Sequence, residues 1–236
     1  MRSMTERMAV FPPRGSGLGL GSWAREMAAA AIDFIVSPPA GTANLPRGDG
    51  SAVLLIPGFL AGDWALIRLE RFLGNLGYRT ATARILFNPG PTPSIVARLD
   101  RTLALLAKDG PISLVGVSLG GTLARDLARR QPDKVRCVVT LCSPVHFPVS
   151  TPLEPFARAL APWHDAAWVA RRSDIALPLG VPVTAIHSID DGVVDWRQCV
   201  LEESPRARNV GVRGNHMMIA SNPEAQKIVA LALAGR

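Results

Sequence analysis

Gly116-Val117-Ser118-Leu119-Gly120-Gly121 sets a serine between glycines two residues before and two residues after it. That spacing suits a serine on a sharp strand-to-helix turn. The strained backbone pushes the hydroxyl out at a sheet edge, and larger flanking side chains would clash. The pentapeptide alone also arises by chance, and a glycine-rich helix start would look the same. Its surroundings favour the nucleophile: Ile112 to Val117 reads as a strand entering the turn, and Thr122 to Arg130 as a helix leaving it. The helix start brings free N–H groups and a positive dipole end to the place where an oxyanion would develop.

A serine hydroxyl needs a base, and the base needs an orienting acid. Of the four histidines, only His216 lies after the last strand candidate, in the loop-like run Gly214-Asn215-His216-Met217-Met218. His187 ends a buried strand and reads as structural. His146 and His164 fall in an irregular stretch, where at most they would line a pocket. For the acid, Ser188 to Asp195 follows the strand Val183 to His187 and so shares the carboxyl sheet edge with Ser118. Asp191, before Gly192-Val193-Val194, is the first choice and Asp190 the second. Asp190 and Asp195 are also credible as turn or capping residues. Pro57-Gly58-Phe59-Leu60 follows the first clear strand. There Gly58 lets the chain approach Ser118, so that the Phe59 N–H joins that of Leu119 as an oxyanion donor. An ordinary strand-to-helix turn would use the same residues.

The elements that must position these groups alternate. Ala52 to Ile56, Tyr78 to Ile85, Ile112 to Val117, Val135 to Leu141, Val181 to Ile186 and Ala207 to Val212 read as strands. Helical spacing covers Trp64 to Leu76, Ile95 to Leu106, Thr122 to Arg130 and Pro223 to Leu233. This alternation predicts an α/β fold with a mostly parallel central sheet and helices on both faces. The stretch 143–180 breaks it. With six prolines and Phe147, Phe156, Trp163 and Trp168, it reads as a short helical insertion or lid. Those four aromatics, with Leu60, are the candidate substrate pocket, although they would equally serve as core. The chain divides into 1–50, a tail, helix and linker, and 51–236, the main domain. The tail over 1–21 is rich in glycine. From Ser22, a helix sets Trp23, Met27, Ala31 and Phe34 on a packing face, with Arg25, Glu26 and Asp33 elsewhere.

Together these segments resemble the α/β-hydrolase superfamily, specifically its small lipase- and esterase-like members. The resemblance runs from about Ala52 to Leu233, in the order oxyanion loop, nucleophile, acid, base. Leu141-Cys142-Ser143-Pro144 is similar to the segment ending the strand after the nucleophile helix in those proteins. The resemblance implies Ser118 as nucleophile, His216 as general base, Asp191 as its acid, and Phe59 and Leu119 as oxyanion donors. Pro57 and Val117 stand where many members carry histidines, which loosens assignment within the superfamily. A serine at the elbow argues for an acyl-enzyme, unlike the aspartate nucleophile of epoxide hydrolases and haloalkane dehalogenases. The implied activity is cofactor-free hydrolysis of a small-molecule ester or acyl substrate. A thioesterase or acyltransferase would use the same triad, and a non-catalytic binding role for the fold is the reading from another class.

Composition narrows the field. The chain has 236 residues, 48% of them hydrophobic and 19% charged, enough to bury a substantial core. The net charge of +7 comes from arginines scattered along the chain, with few aromatics and a single tyrosine, Tyr78. Nucleic-acid binding would concentrate them on one face. Cys137, Cys142 and Cys199 are too few for a disulfide framework and lack metal-ligand spacing, so no metal or cofactor is expected. No run is long enough for a membrane span, and no signal peptide is evident. A cytoplasmic protein is expected; the basic tail and helix leave peripheral contact with a membrane, and the oligomeric state, open.

Overall fold

Five consecutive apolar residues, Ala52–Ile56, form β1, and all five are buried. A strand covered on both faces needs this pattern rather than alternation. Ala52, Leu54 and Ile56 pack into one hydrophobic cluster, and Val53 and Leu55 into a second on the opposite face. The computed structural model describes residues 40–236 together with Gly21, Ala24, Glu26 and Ala28, these four being helical. The expected tail apart from Gly21, and the helix face formed by Trp23, Met27, Ala31 and Phe34, lie outside the described residues.

The other strands are β2 (Arg79–Thr82), β3 (Ile112–Val117), β4 (Val135–Leu141), β5 (Val183–Ser188) and β6 (Ala207–Val212). They form one six-stranded sheet in the order β2-β1-β3-β4-β5-β6, with every neighbouring pair parallel. The helices are α1 (Ile67–Leu76), α2 (Pro93–Leu106), α3 (Leu119–Arg130), α4 (Glu154–Leu160), α5 (Ala166–Arg171) and α6 (Pro223–Leu233). Leu99 and Leu103 of α2 and Leu123 and Leu127 of α3 join the cluster under Leu54. Leu69, Phe72 and Leu73 of α1 and Val229 and Leu233 of α6 join the one under Leu55. Helices thus cover both faces, as the alternation predicts.

Element ends follow local chemistry. Thr92 Oγ1 accepts the Ile95 N–H at the start of α2, and Asn222 Oδ1 accepts those of Glu224 and Ala225 at the start of α6. In each, proline occupies the first turn, where its missing N–H costs nothing. β2 stops short of the expected Ile85, because Arg84 adopts a left-handed φ of 57°. β5 begins after Pro182, which has no N–H for the ladder.

The parallel register places Ile56 beside Gly116, Val117 beside Leu141, and Ser188 beside Val212. Five strand ends therefore open onto one edge, and the loops leaving them carry the candidate site. Within 143–180, α4 buries none of its residues, whereas Trp168 of α5 and the following Ile175 and Leu179 enter the cluster that holds α3. Buried Arg125 of α3 holds this segment from below, donating to the carbonyls of Ile175 and Leu177.

Candidate active site

Ser118 joins β3 to α3 with φ 51° and ψ −127°, a left-handed conformation that a side-chain-bearing residue adopts only when its surroundings impose it. The surroundings are backbone. A Cβ on Gly116 would lie 2.3 Å from the Gly120 carbonyl oxygen, and one on Gly120 would lie 2.2 Å from that of Ile56. The two motif glycines therefore allow the turn to sit against α3 and β1, and the Ser118 N–H is tied to the Leu141 carbonyl at 2.8 Å. α3 begins at Leu119, three residues earlier than its sequence suggests, so the Leu119 N–H is among those the helix leaves without an internal acceptor.

The loop after β1 passes directly over this turn. A Cβ on Gly58 would meet Ser118 Cβ at 3.2 Å and the Val117 carbonyl oxygen at 3.3 Å. Buried Asn88 shapes the loop: its side-chain amide donates to the Pro57 carbonyl at 2.9 Å, and its own carbonyl accepts the Leu60 N–H at 2.8 Å. Phe59 lies between those two anchored positions. Sequence reasoning did not single out Asn88, whose role is set by contacts 31 residues away.

The turn after β5 contains three aspartates with different partners. Asp191 Oδ1 accepts the N–H groups of Val193 and Val194, each at 2.8 Å, while Oδ2 lies 2.6 Å from His216 Nδ1. Asp190 accepts from Arg213 Nη1 and the Gly214 N–H on the neighbouring loop. Asp195 caps the 196–199 turn through the Arg197 N–H. His216 follows Gly214, whose carbonyl accepts the Ser188 hydroxyl, and Asn215 Oδ1 closes the turn by accepting the Met218 N–H.

The side chains of Asp191 and His216 are both buried and perturb one another. Desolvation would raise the Asp191 pKa, yet the His216 charge, its hydrogen bond and two backbone N–H groups hold the carboxyl below its ordinary value. Burial alone would lower the His216 pKa, but the Asp191 charge and hydrogen bond, helped by the charge of Glu26, hold it above the usual 6.5. With Nδ1 engaged by the carboxylate, Nε2 is left as the basic nitrogen. Among the described residues no hydrogen bond joins Ser118 Oγ to His216. Their loops share the edge through Cys142, which follows Leu141, the residue that accepts the Ser118 N–H.

Cys142, Asp191 and His216 bring potential metal-ligand atoms within 4.8 Å of one another. The thiol is held protonated, because burial pushes its pKa well above the ordinary value and the Asp191 charge adds to the effect. A metal would need the thiolate and a free imidazole nitrogen, so this trio fits a hydrogen-bonded set better than a ligand set.

The remaining histidines have separate settings. His187 stacks on Trp196 with ring centroids 5.3 Å apart, His146 Nε2 lies 3.0 Å from the Val200 carbonyl oxygen, and His164 packs against Gly90. The candidate pocket residues divide. Trp168 is core and takes the Phe147 ring edge-on at 6.3 Å, Leu60 is half-buried with φ 60°, and Phe156 and Trp163 are exposed.

A family profile described as alpha/beta hydrolase fold matches residues 52–185. The chain belongs to this family. Solved structures of alpha/beta hydrolase shape agree. A thioesterase domain from the curacin biosynthetic pathway is 18% identical with TM-score 0.56, the match covering 80% of this chain and 93% of that one. A structure from the metagenome-derived lipolytic enzymes LipS and LipT is 13% identical with TM-score 0.60, covering 81% and 96%. Polyneuridine aldehyde esterase is 13% identical with TM-score 0.53, covering 79% and 100%. Comparison with curated protein sequences gives no match. At such identities the likeness establishes the fold alone. Among the described residues of this alpha/beta hydrolase-fold chain, no helix is long and apolar enough to cross a membrane.

One buried residue at the site went unread in the sequence. Glu26, expected off the packing face of its helix, is buried, and its carboxylate accepts N–H groups from both the Asp191 and the His216 loops. No local signal distinguishes it from a solvated glutamate, because its partners lie more than 160 positions away.

Proposed function

We propose that this chain is a serine hydrolase of carboxylic esters, with Ser118 as nucleophile, His216 as general base and Asp191 as the orienting acid. The observation that carries the reading is the 2.6 Å Asp191–His216 contact, made by loops on the same sheet edge as the left-handed Ser118 turn. His216 Nε2 takes the Ser118 proton as Oγ attacks the ester carbonyl. Asp191 keeps the imidazole oriented and offsets the charge it gains. The oxyanion rests on the N–H groups of Phe59 and Leu119, fixed in advance by the Asn88-anchored loop and the start of α3. His216 then protonates the departing alcohol, and the acyl group stays on Ser118 Oγ. Water, deprotonated by the same nitrogen, releases the acid. Leu60 and Phe147 line the acyl side, with Trp168 behind Phe147.

The test is hydrolysis of p-nitrophenyl esters from acetate to palmitate by wild type and Ser118→Ala. Loss of turnover by about 10³-fold or more in the mutant is expected. Turnover that survives the substitution removes Ser118 from the mechanism. A matched thioester series separates esterase from thioesterase within the same acyl-enzyme chemistry.

A further inference from the structure

Glu26 comes from the helical stretch preceding the main domain, yet it sits against the loops that carry the acid and the base. Glu26 is 4% exposed. Oε1 accepts the Gly192 N–H at 2.6 Å, immediately after Asp191, and Oε2 accepts the His216 N–H at 2.9 Å, with Oε1 3.2 Å from the same nitrogen. A buried carboxylate is costly unless its oxygens are satisfied, and here the donors belong to the two loops that leave the paired strands β5 and β6. We infer that Glu26 is a positioning residue that clamps the Asp191 and His216 loops together and places a second negative charge beside the imidazole.

The inference rests on the proposed roles of Asp191 and His216. Neither the Asp191–His216 pair nor the Ser118 turn needs Glu26 for its own contacts, so the clamp is an added device that makes the domain depend on the segment before it. Among the described residues, the titratable groups facing His216 are Asp191, Cys142 and Glu26. Cys142 stays neutral, so the carboxylates of Asp191 and Glu26 set the charge around the ring. Their roles separate, because Asp191 bonds the ring and Glu26 bonds the backbone.

The experiment uses the full chain with Glu26→Gln, Glu26→Ala and Ser118→Ala beside wild type. It reads kcat and KM across pH, thermal stability, and the His216 imidazole titration by NMR. Glu26→Ala should lower kcat about 10- to 100-fold with KM moved less than about threefold, as for a misplaced base. Glu26→Gln keeps one acceptor, which can hold the Gly192 N–H and reach the His216 N–H only at the longer 3.2 Å distance, and should recover part of kcat. In both variants the His216 titration should move down by about half a pH unit or more, because an anion has been removed. Wild-type kcat and an unmoved His216 titration in Glu26→Ala overturn the inference. So does a loss of activity that follows thermal stability alone while the folded fraction keeps the wild-type titration. Full turnover by Ser118→Ala would instead defeat the hydrolase reading, while the imidazole titration still judges the clamp.

Discussion

Asp190, Asp191 and Asp195 occupy one turn, and among the described residues Asp191 alone of the three reaches an imidazole. Their substitution by asparagine therefore separates catalysis from turn structure. Asp191→Asn should cut kcat/KM by about 10³- to 10⁴-fold, since the amide no longer holds the imidazole in the required tautomer or offsets its charge. Asp190→Asn and Asp195→Asn should stay within about tenfold of wild type, because their oxygens bond Arg213, Gly214 and Arg197 and not the imidazole. Steady-state kinetics on one ester checks all three. The same pair makes stability depend on pH. Asp191, held below 3.8, contributes stability that is fully present above that value and is lost as pH falls through the lowered pKa. His216, held above 6.5, contributes stability that is fully present below that value and is lost as pH rises through the raised pKa. The Tm difference between wild type and His216→Ala should therefore be largest between about pH 3.8 and 6.5 and shrink on either side. A difference that grows from pH 6.5 to 9 would contradict the charged-pair account.

At the scale of elements, the site depends on how closely the loop after β1 lies over the β3–α3 turn. Gly58 has room for a methyl group only if Ser118 or Val117 moves a few tenths of an ångström, from contacts of 3.2 and 3.3 Å. Its backbone is not left-handed, so alanine is allowed conformationally. Gly58→Ala should therefore fold with a Tm near wild type while kcat falls about 10- to 100-fold, the scale of a displaced oxyanion donor. Unchanged kcat would move the oxyanion site away from Phe59. Packing at β3 is less tolerant. Leu114 is fully buried between α2, α3 and the sheet, and Leu114→Ala should cost about 2–5 kcal/mol in urea unfolding with little effect on the activity of the folded fraction. The insertion is anchored by the charged pair Arg171–Asp126 and by Arg125, which link it to the helix that starts at Leu119.

For the whole molecule, the sheet and its helices were legible because both-face burial writes itself as unbroken apolar runs such as Ala52–Ile56, and helical faces as repeats such as Leu69, Phe72, Leu73 and Leu76. The chain positions of Ser118, Asp191 and His216 were legible because their loops leave strand ends that parallel pairing brings to one edge. What escaped depends on distance through the chain. Asn88 and Glu26 look like surface polar residues until folding brings them against Pro57 and His216. The aromatics of 143–180 share one composition, yet Trp168 packs beneath α3 while Phe156 and Trp163 face outward, a division the irregular spacing of that stretch does not encode.

The central claim is that Ser118 is an activated nucleophile. The most direct measurement is intact-protein and peptide mass spectrometry after exposure to an alkyl fluorophosphonate, which forms a phosphonate ester on an activated serine oxygen with loss of fluoride. One adduct per chain on the Ser118 peptide is expected, absent in Ser118→Ala and formed far more slowly in His216→Ala. An adduct on a different serine, or labelling at equal rates in wild type and His216→Ala, would contradict the account.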